Sequence, residues 1–300
     1  MIRVRPDRRP GFTLLELLVS AAIIGVLIGL TMSAVQRVRV TATRAACLSR
    51  VGQLAVAVHA YTVTHGRLPR GCDYMVPLGV LPMNSQCAVS WQTSLLPHLE
   101  QAALWQQAMA AHQADPLGLD PAHNRVQEVS LEVLTCPTES RRVGGTRPNQ
   151  LWGISSYRGV AGTKLTLDDG SFHPNLTVRP TDYTDGTSNT LLVGERPAGP
   201  NGVHGAWYSG WGYTVCSTAQ LLPTGLNSWM PPSGGCAYAD VGFRPGTIED
   251  ICDTNHYWSA HSGGATFAMA DGSAHFIRYE AAAVLPALAT RAGGETATVD

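Results

Sequence analysis

The last third of the sequence holds the residue types from which a catalytic site could be built. His256, His261 and His275 lie close to Asp271, and the hydroxyl of Ser262 directly follows His261, so a nucleophile with a histidine base is conceivable. Neighbours in sequence do not make such a pair by themselves, because the fold supplies the geometry. The chain has no GxSxG, HExxH, GxxxxGK[ST] or GxGxxG motif. We therefore expect polar loop and core hydrogen bonds in this region, and a protein that is not an enzyme.

Composition narrows the classes of partner. Of the 300 residues, 44 % are hydrophobic and 14 % are charged, a balance that excludes an intrinsically disordered chain. The 21 basic and 22 acidic residues give a net charge of −1, which offers no basic surface for a nucleic-acid backbone. We expect neither a nucleic-acid partner nor a cofactor.

The amino terminus is expected to position the chain at a membrane. Residues 12–30 form a nineteen-residue apolar run whose one charge is Glu16, and a helix of this length spans a bilayer core of about 30 Å. Residues 1–11 carry four arginines and one aspartate, a net charge of +3 before the terminal amine, as in a targeting leader. A carboxylate at mid-membrane costs about 2.5–3.5 kcal/mol, so Glu16 requires a specific role.

The segment RRPGFTLLELLVSAAIIGVLIGL (residues 8–30) resembles the class III signal of type IV pilins and type II secretion pseudopilins. The resemblance implies that a prepilin peptidase cuts after Gly11 and methylates the new amino-terminal residue, Phe12. It also implies that the Glu16 carboxylate pairs with the Phe12 amine of a neighbouring subunit during assembly, because opposite charges attract strongly at low dielectric. The implied partners are the prepilin peptidase, other pilin or pseudopilin subunits, and the inner membrane.

Charge alone does not orient the span. Four arginines precede it and four follow it, so the positive-inside rule does not choose a side. The resemblance implies a single-pass inner-membrane protein with a cytoplasmic leader and a periplasmic or otherwise extracytoplasmic carboxy-terminal domain. The mature chain would stand in the membrane or in a periplasmic or surface filament.

Beyond the span, apolar or small residues recur every three or four positions as far as Tyr61, which predicts one long helix with an amphipathic upper half. We expect that helix to end near His65, because Gly66 and Pro69 follow. The predicted division is a leader (1–11), a transmembrane helix (12–34), an amphipathic stem (35–65), a globular domain (66–280) and a carboxy-terminal tail (281–300).

Several segments resemble, in order, the DUF1559 family of prepilin-like proteins, which is abundant in planctomycete bacteria. They are TRAACLSRVGQLAVAVHAYTVTHGRLP (43–69), SWQTSLLPHLEQAALW (90–105), LTCP (134–137), SSYRGVAG (155–162), DYTDGTSNTLLVGE (182–195) and HSGGATFAMADGSAHFI (261–277). The last segment carries the family's carboxy-terminal signature, H-x9-DG, here His261 followed by nine residues and Asp271-Gly272. The motifs are specific for the family and not for a biochemical activity.

Seven cysteines without a CxxC pair indicate disulfides in an oxidising compartment, with one cysteine left over. The family resemblance implies a bridge between Cys47 and Cys136. A bridge between Cys72 and Cys87 would close a loop of about 15 residues and contribute about 3 kcal/mol, although the sequence alone establishes no pairing.

Some major pseudopilins bind calcium near the carboxy terminus, and the resemblance to them makes Asp182 and Asp185 weak calcium candidates. Carboxylates are suitable ligands for this ion. The sequence has no EF-hand spacing, and turn and cap roles suit aspartate better. We therefore expect no bound metal.

The expected fold is α+β and pilin-like. A long amino-terminal helix packs on a mainly antiparallel sheet with long loops. Asp271-Gly272 lies between two strand-like segments, 265–270 and 273–278, and predicts a hairpin with a type I′ turn. Residues 90–112 predict a helix with one face lined by Leu95, Leu99, Ala102, either Trp105 or Gln106, and Met109.

The predicted function is a structural subunit of a type II secretion pseudopilus or a type IV pilus-like filament. An alternative of another class is a membrane-tethered module that binds a polysaccharide or an exported protein. Aromatic residues between Trp207 and Trp258, including Trp211, would provide its stacking surface if exposed. Burial in the core is the simpler expectation, because large aromatic side chains are usually buried.

Replacing Gly11 with valine should leave the leader attached, because the implied cleavage follows this glycine. Intact-protein mass spectrometry should find the wild-type chain eleven residues shorter than the full sequence and carrying one added methyl group. The Gly11→Val chain should keep the full mass. A variant that is trimmed like the wild type would count heavily against the prepilin interpretation.

Overall fold

The computed structural model describes residues 13–73, 89–115, 121–147, 150–163, 169–173, 177–202, 204–208, 215–216, 242–295 and 297. Gly11, Phe12, Cys87 and Trp211 lie outside these ranges, as does the side chain of Cys72. The chain divides into two units, Met1–Thr43 and Arg44–Asp300.

A single helix of 52 residues, α1 (Leu14–His65), opens the described chain. Its first turn is a capping box, in which the Thr13 hydroxyl oxygen accepts from the Glu16 N–H at 3.3 Å and Glu16 Oε2 accepts from the Thr13 N–H at 2.9 Å. At the other end, the Gly66 N–H donates to the Thr62 carbonyl at 2.8 Å, and Gly66 has a φ of 70°. A left-handed glycine in this place ends a helix, so the end falls where the sequence predicts it.

In the first unit the apolar side chains of α1 are exposed. None of the large apolar side chains from Leu14 to Val40 is buried. Among the described residues, α1 is the one helix long and apolar enough to cross a membrane. This part of α1 therefore presents a hydrophobic surface that needs lipid or protein around it.

In the second unit one face of α1 is buried. The buried positions recur at helical spacing and are Cys47, Val51, Leu54, Ala55, Ala57 and Val58. They belong to a hydrophobic core that also contains Trp91, Leu134, Tyr157 and Trp207. The helix therefore packs in this unit as the amphipathic spacing predicts.

A five-stranded sheet forms the centre of the second unit, in the order β7-β5-β6-β8-β9. Its strands are β5 (Tyr157–Val160), β6 (Leu191–Glu195), β7 (Val215–Cys216), β8 (Gly264–Met269) and β9 (Ala274–Arg278). All neighbours pair antiparallel except β5 and β7, which are parallel. The predicted α+β fold with a mainly antiparallel sheet is confirmed.

Shorter elements surround this sheet. Two antiparallel pairs are formed by β1 (Cys72–Asp73) with β2 (Val89–Ser90) and by β3 (Val143–Arg147) with β4 (Gln150–Gly153). The remaining α-helices in the described ranges are α2 (Trp91–Ser94), α3 (Ala102–Ala114), α4 (Asn124–Gln127) and α5 (Leu285–Ala289). Short 3-10 turns connect many of them, among them Leu96–Leu99, Pro121–His123, Glu132–Leu134 and Ile251–Asn255.

The hairpin of β8 and β9 forms as predicted, but its turn is not type I′. The Gly272 N–H donates to the Met269 carbonyl at 3.0 Å, and the Met269 N–H donates to the Ser273 carbonyl at 2.8 Å. Gly272 has a φ of 93°, and Asp271 is not at positive φ, whereas a type I′ turn needs both. Asp271 instead accepts from the Ser273 N–H at 2.9 Å and from its hydroxyl at 2.7 Å, which stabilises a longer turn with glycine in the left-handed position.

The prediction of a single helix over residues 90–112 is wrong. The chain forms α2, the 3-10 turn Leu96–Leu99 and α3, with Glu100 at a φ of 61° between the last two. Pro97 lacks the N–H that a continuous helix would need there, and its ring disfavours the preceding turn. The buried residues of α3 are Leu104, Ala108, Ala111 and His112. Of the residues predicted for the inner face, Leu95 is in the core, and Leu99, Trp105 and Met109 are partly buried and pack against it.

Two glycine-to-alanine changes test this packing in opposite directions. At Gly194 in β6, an added Cβ would lie 2.5 Å from Phe267 and 2.7 Å from Tyr257, so Gly194→Ala should lower the free energy of unfolding by about 1–3 kcal/mol. At Gly52 in α1, the nearest atom to an added Cβ is the Ala274 Cβ at 3.9 Å. Gly52→Ala should therefore raise the free energy of unfolding by up to about 1 kcal/mol. Denaturant unfolding of the full chain in detergent measures both, and equal stabilities would contradict the packing described.

Candidate functional site

Four separate parts of the second unit bring chemically active side chains to one buried point. The residues are Cys47 on α1, Cys136 after the turn Glu132–Leu134, Glu195 at the end of β6, and His261 before β8. Each side chain is at most 5 % exposed. One sulfur, nitrogen or oxygen atom from each residue lies within 4.8 Å of the others. We refer to these residues as the four-residue cluster.

Cys47 and Cys136 are joined by a disulfide, with their Cα atoms 5.4 Å apart. The bond ties α1 to a loop 89 residues further along the chain. In the chain-entropy model a closure of this length contributes about 4–5 kcal/mol to stability. Cys252 is also disulfide-bonded.

Glu195 is a fully buried acid beside this disulfide. Its Oε2 accepts hydrogen bonds from the Thr266 N–H at 3.1 Å and from the Thr266 hydroxyl at 2.7 Å, while Oε1 lies 3.9 Å from Cys47 Sγ. Burial raises the pKa of Glu195 to about 7, and the hydrogen bonds from Thr266 act against that rise. Within the described part of the chain, no salt bridge includes this carboxylate.

His261 lies beside the other sulfur of the disulfide, that of Cys136. Its Nε2 lies 3.2 Å from Cys136 Sγ, and its backbone N–H donates to the Ser259 hydroxyl at 2.9 Å. Burial and then the positive charge of Arg44 lower the pKa of His261, which favours the neutral imidazole. The next residue, Ser262, is exposed, and its carbonyl accepts from Arg44 Nη2 at 3.1 Å.

The hairpin that follows His261 lies along α1. The Arg44 guanidinium stacks 3.8 Å from the centre of the Phe276 ring. Eight residues further along α1, a Cβ added at Gly52 would contact Ala274. Seven residues beyond Gly52, His59 lies beside Gly272, and a Cβ added at Gly272 would be 3.4 Å from His59 Nε2. Positions about two turns apart lie on the same side of a helix, so β9 and its turn follow one face of α1.

The histidines grouped by sequence proximity do not form a common site. His256 Nε2 lies 2.8 Å from Asp253 Oδ1, and His275 Nε2 lies 2.9 Å from the Ser273 hydroxyl. His261 has the cysteine sulfur as its ring neighbour instead. Each of the three histidines therefore has its own polar neighbour, and none of these neighbours is Ser262.

Two family models match the sequence of this chain. Residues 36–283 match the family model described as a protein of unknown function, DUF1559. The chain belongs to the DUF1559 family. Residues 7–32 match the prokaryotic N-terminal methylation motif, which indicates a prepilin related to type IV pilins and pseudopilins. No curated protein and no solved structure matches the chain.

In this DUF1559 chain, four of the family-like segments each supply one residue of the cluster. Cys47 comes from residues 43–69, Cys136 from LTCP, and His261 from the H-x9-DG segment. Glu195, the last residue of the segment 182–195, was not a predicted site residue. The available signal was its position as the single acid in the apolar run TLLVGE, since a buried strand rarely carries a charge without a specific partner.

Asp182 and Asp185, the calcium candidates, lie apart from the four-residue cluster. Asp182 Oδ2 accepts from the Arg179 N–H at 2.8 Å. The Asp185 carboxylate accepts from the backbone N–H groups of Gly293 and Gly294, at 2.7 and 3.0 Å. Both carboxylates thus act as acceptors for backbone groups, as aspartates in caps and turns do.

Trp207, one of the aromatic residues expected to form a stacking surface if exposed, is fully buried. Its indole Nε1 donates to the Val129 carbonyl at 2.8 Å. Tyr208, Tyr257 and Trp258 are at most 3 % exposed. These four aromatic side chains belong to the interior and leave the binding-module alternative without support from the described residues.

A second buried polar group centres on His112 of α3. Its ring is 1 % exposed, and within the described residues neither ring nitrogen has a hydrogen-bond partner. The ring stacks on Tyr208 at 5.3 Å and lies 4.8 Å from the ring of His123. Burial, then the charge of His123, lower the pKa of His112 to about 4, and Asp115 acts against that change.

This histidine should make the unit sensitive to acid. A folded-state pKa of about 4 against an ordinary value of 6.5 means that the neutral ring stabilises the fold above pH 6.5, and that this stabilisation is lost as the pH falls toward 4. His112→Phe keeps a stacked ring but removes the titration. Denaturant unfolding between pH 4 and pH 7.5 should show a shallower loss of stability for the variant, and parallel pH curves would contradict the assignment.

Proposed function

We propose that this protein is a structural filament subunit. Prepilin peptidase cleaves it after Gly11 and methylates Phe12, and the mature chain joins a pilus or pseudopilus through residues 12–34. The leader faces the cytoplasm, and the unit Arg44–Asp300 lies on the other side of the inner membrane.

The observation that carries the proposal is the methylation motif at the start of an exposed apolar helix. The motif match covers residues 7–32, which include Gly11, Phe12 and Glu16. Residues 14–34 of α1 extend over about 30 Å at 1.5 Å per residue, the thickness of a bilayer core. A helix of this kind is covered by lipid before assembly and by neighbouring helices afterwards.

Small residues on this part of α1 allow such neighbours to come close. The apolar run contains four small residues within nine positions, which are Ala21, Ala22, Gly25 and Gly29. An added Cβ at Gly25 or Gly29 would meet no atom within 4 Å, so the backbone is open to another helix there. Packing through small residues is a common basis of helix association in membranes.

Glu16 is held in a way that suits a second, intermolecular partner. Its Oε2 accepts from both the N–H and the hydroxyl of Thr13, and within the described residues its Oε1 has no hydrogen bond. The capping box therefore fixes the carboxylate at the start of α1 while one oxygen stays available. A methylated amine at Phe12 of a neighbouring subunit would meet that oxygen in an apolar surrounding, where the attraction is strong.

Two matched variants separate the charge of Glu16 from its capping role. Glu16→Gln preserves an acceptor for the capping box and removes the charge, whereas Thr13→Val removes the cap hydroxyl and keeps the charge. We expect Glu16→Gln to reduce subunit contacts at least about tenfold, since breaking a buried ion pair costs several kcal/mol. Thr13→Val should assemble nearly as the wild type does.

The measurement is photo-crosslinking in cells, with a photoreactive amino acid at Ile24, followed by counting the crosslinked oligomers. Membrane fractionation and intact mass control for insertion and processing, which both variants should retain. Wild-type levels of crosslinking in Glu16→Gln, with processing intact, would refute the charge-pairing model.

A further inference from the structure

The four-residue cluster contains the donor set of a thiophilic metal site. Two cysteine sulfurs, one imidazole nitrogen and one carboxylate oxygen converge, and these are the ligand types that bind Zn²⁺. In a tetrahedral zinc site, bonds of about 2.0–2.3 Å place neighbouring ligand atoms about 3.3–3.8 Å apart. The distances of 3.2 Å between His261 Nε2 and Cys136 Sγ, and 3.9 Å between Glu195 Oε1 and Cys47 Sγ, are close to that range.

We propose that the reduced chain binds one Zn²⁺ at Cys47, Cys136, His261 and Glu195, and that formation of the Cys47–Cys136 disulfide expels the ion. The structure shows the oxidised state, in which the two sulfurs are bonded to each other. In the reduced state these sulfurs would separate to ligand spacing around a common centre, and the four ligand atoms already lie within 4.8 Å of one another.

The buried acid is a group whose charge a cation would compensate. Glu195 is 0 % exposed and, within the described residues, forms no salt bridge. An ionised carboxylate in such a place is costly unless a positive charge compensates it. A zinc ion bound by Oε1 would supply that charge, while Thr266 continues to hold Oε2 through its N–H and hydroxyl.

The surrounding contacts hold the other ligands in place. The Ser259 hydroxyl accepts from the His261 N–H at 2.9 Å and donates to the Gly264 carbonyl at 2.9 Å, which braces the loop that carries the imidazole. The backbone N–H of Cys136 donates to the Ser156 hydroxyl at 3.0 Å. Such outer contacts orient metal ligands and raise affinity.

Conversion between the zinc-bound chain and the disulfide-bonded chain moves protons and electrons as well as the metal ion. On zinc binding, each cysteine thiol loses its proton and becomes a thiolate ligand. On oxidation, the two thiolates give up two electrons and form one S–S bond. The S–S bond of an external disulfide breaks as it takes up these two electrons and two protons from the solvent, and it leaves as two thiols. The ion departs because the disulfide sulfurs no longer offer thiolate ligands.

The test uses the full-length chain in detergent. The chain is unfolded, reduced with a phosphine, and refolded under reducing conditions with Zn²⁺ as the only added metal. Elemental analysis after gel filtration should find one zinc per wild-type chain, and addition of oxidised glutathione should release it as the Cys47–Cys136 bond forms. Fewer than one zinc per reduced chain, or zinc retained after that bond is verified by peptide mapping, would overturn the proposal.

Variants that keep both cysteines show whether the other two ligands take part. His261→Gln and Glu195→Gln should each weaken zinc binding at least about tenfold, since even outer-shell changes cost 10–100-fold. Cys252→Ser is the matched control, because it removes a cysteine outside the cluster, and it should bind as the wild type does. Equal affinity in all of these chains would place the ion elsewhere and refute the assignment.

Spectroscopy of the wild type removes the dependence on how well the variants fold. X-ray absorption at the zinc edge should report two sulfur and two nitrogen or oxygen neighbours. Replacement of Zn²⁺ by Co²⁺ should give thiolate-to-metal charge-transfer bands and the intense ligand-field bands of a tetrahedral site. Four sulfur neighbours would show that other cysteines bind the ion, and would overturn the proposed ligand set.

Discussion

The docking of α1 on the hairpin of β8 and β9 is the interaction on which the second unit depends. Arg44, Gly52 and His59 lie at intervals of about two helical turns and meet Phe276, Ala274 and Gly272 in turn. At Gly52 the two elements meet through a glycine and an alanine, whereas Arg44 and His59 use their own side chains to contact Phe276 and the turn at Gly272. The H-x9-DG segment therefore acts as a support for the helix: its histidine lies at the disulfide and its Asp-Gly lies in the turn beside α1.

The four-residue cluster adds a polar centre to this apolar contact. Its side chains are almost completely withdrawn from water, which is unfavourable for an acid and an imidazole unless they have specific partners. Thr266 donates two hydrogen bonds to one oxygen of Glu195. The other oxygen lies near Cys47 Sγ, and the imidazole of His261 lies near Cys136 Sγ. A buried polar arrangement of this kind makes the fold more specific, because few alternative packings of the same chain can satisfy its polar groups.

Local sequence patterns predict several elements of the fold. The end of α1 was predictable because Gly66 provides a left-handed residue directly after His65, and the hairpin because Asp271-Gly272 separates two strand-like segments. The break between α2 and α3 was missed because apolar spacing outweighed Pro97 in the prediction. Glu195 could not be placed at the cluster from the sequence, since its neighbours come from positions as distant as Cys47 and His261, and only the folded chain brings them together.

The Cys47–Cys136 bond also has a mechanical consequence. Axial tension on the amino-terminal half of α1 travels along one uninterrupted helix to Cys47, and from there through a covalent bond into the loop at Cys136. The noncovalent contacts beyond that point, at Gly52 and His59, are shielded from the load. A chain cross-linked in this way would resist extraction of its helix by pulling, and the same chain with both cysteines replaced would yield by shear between the helix and the hairpin.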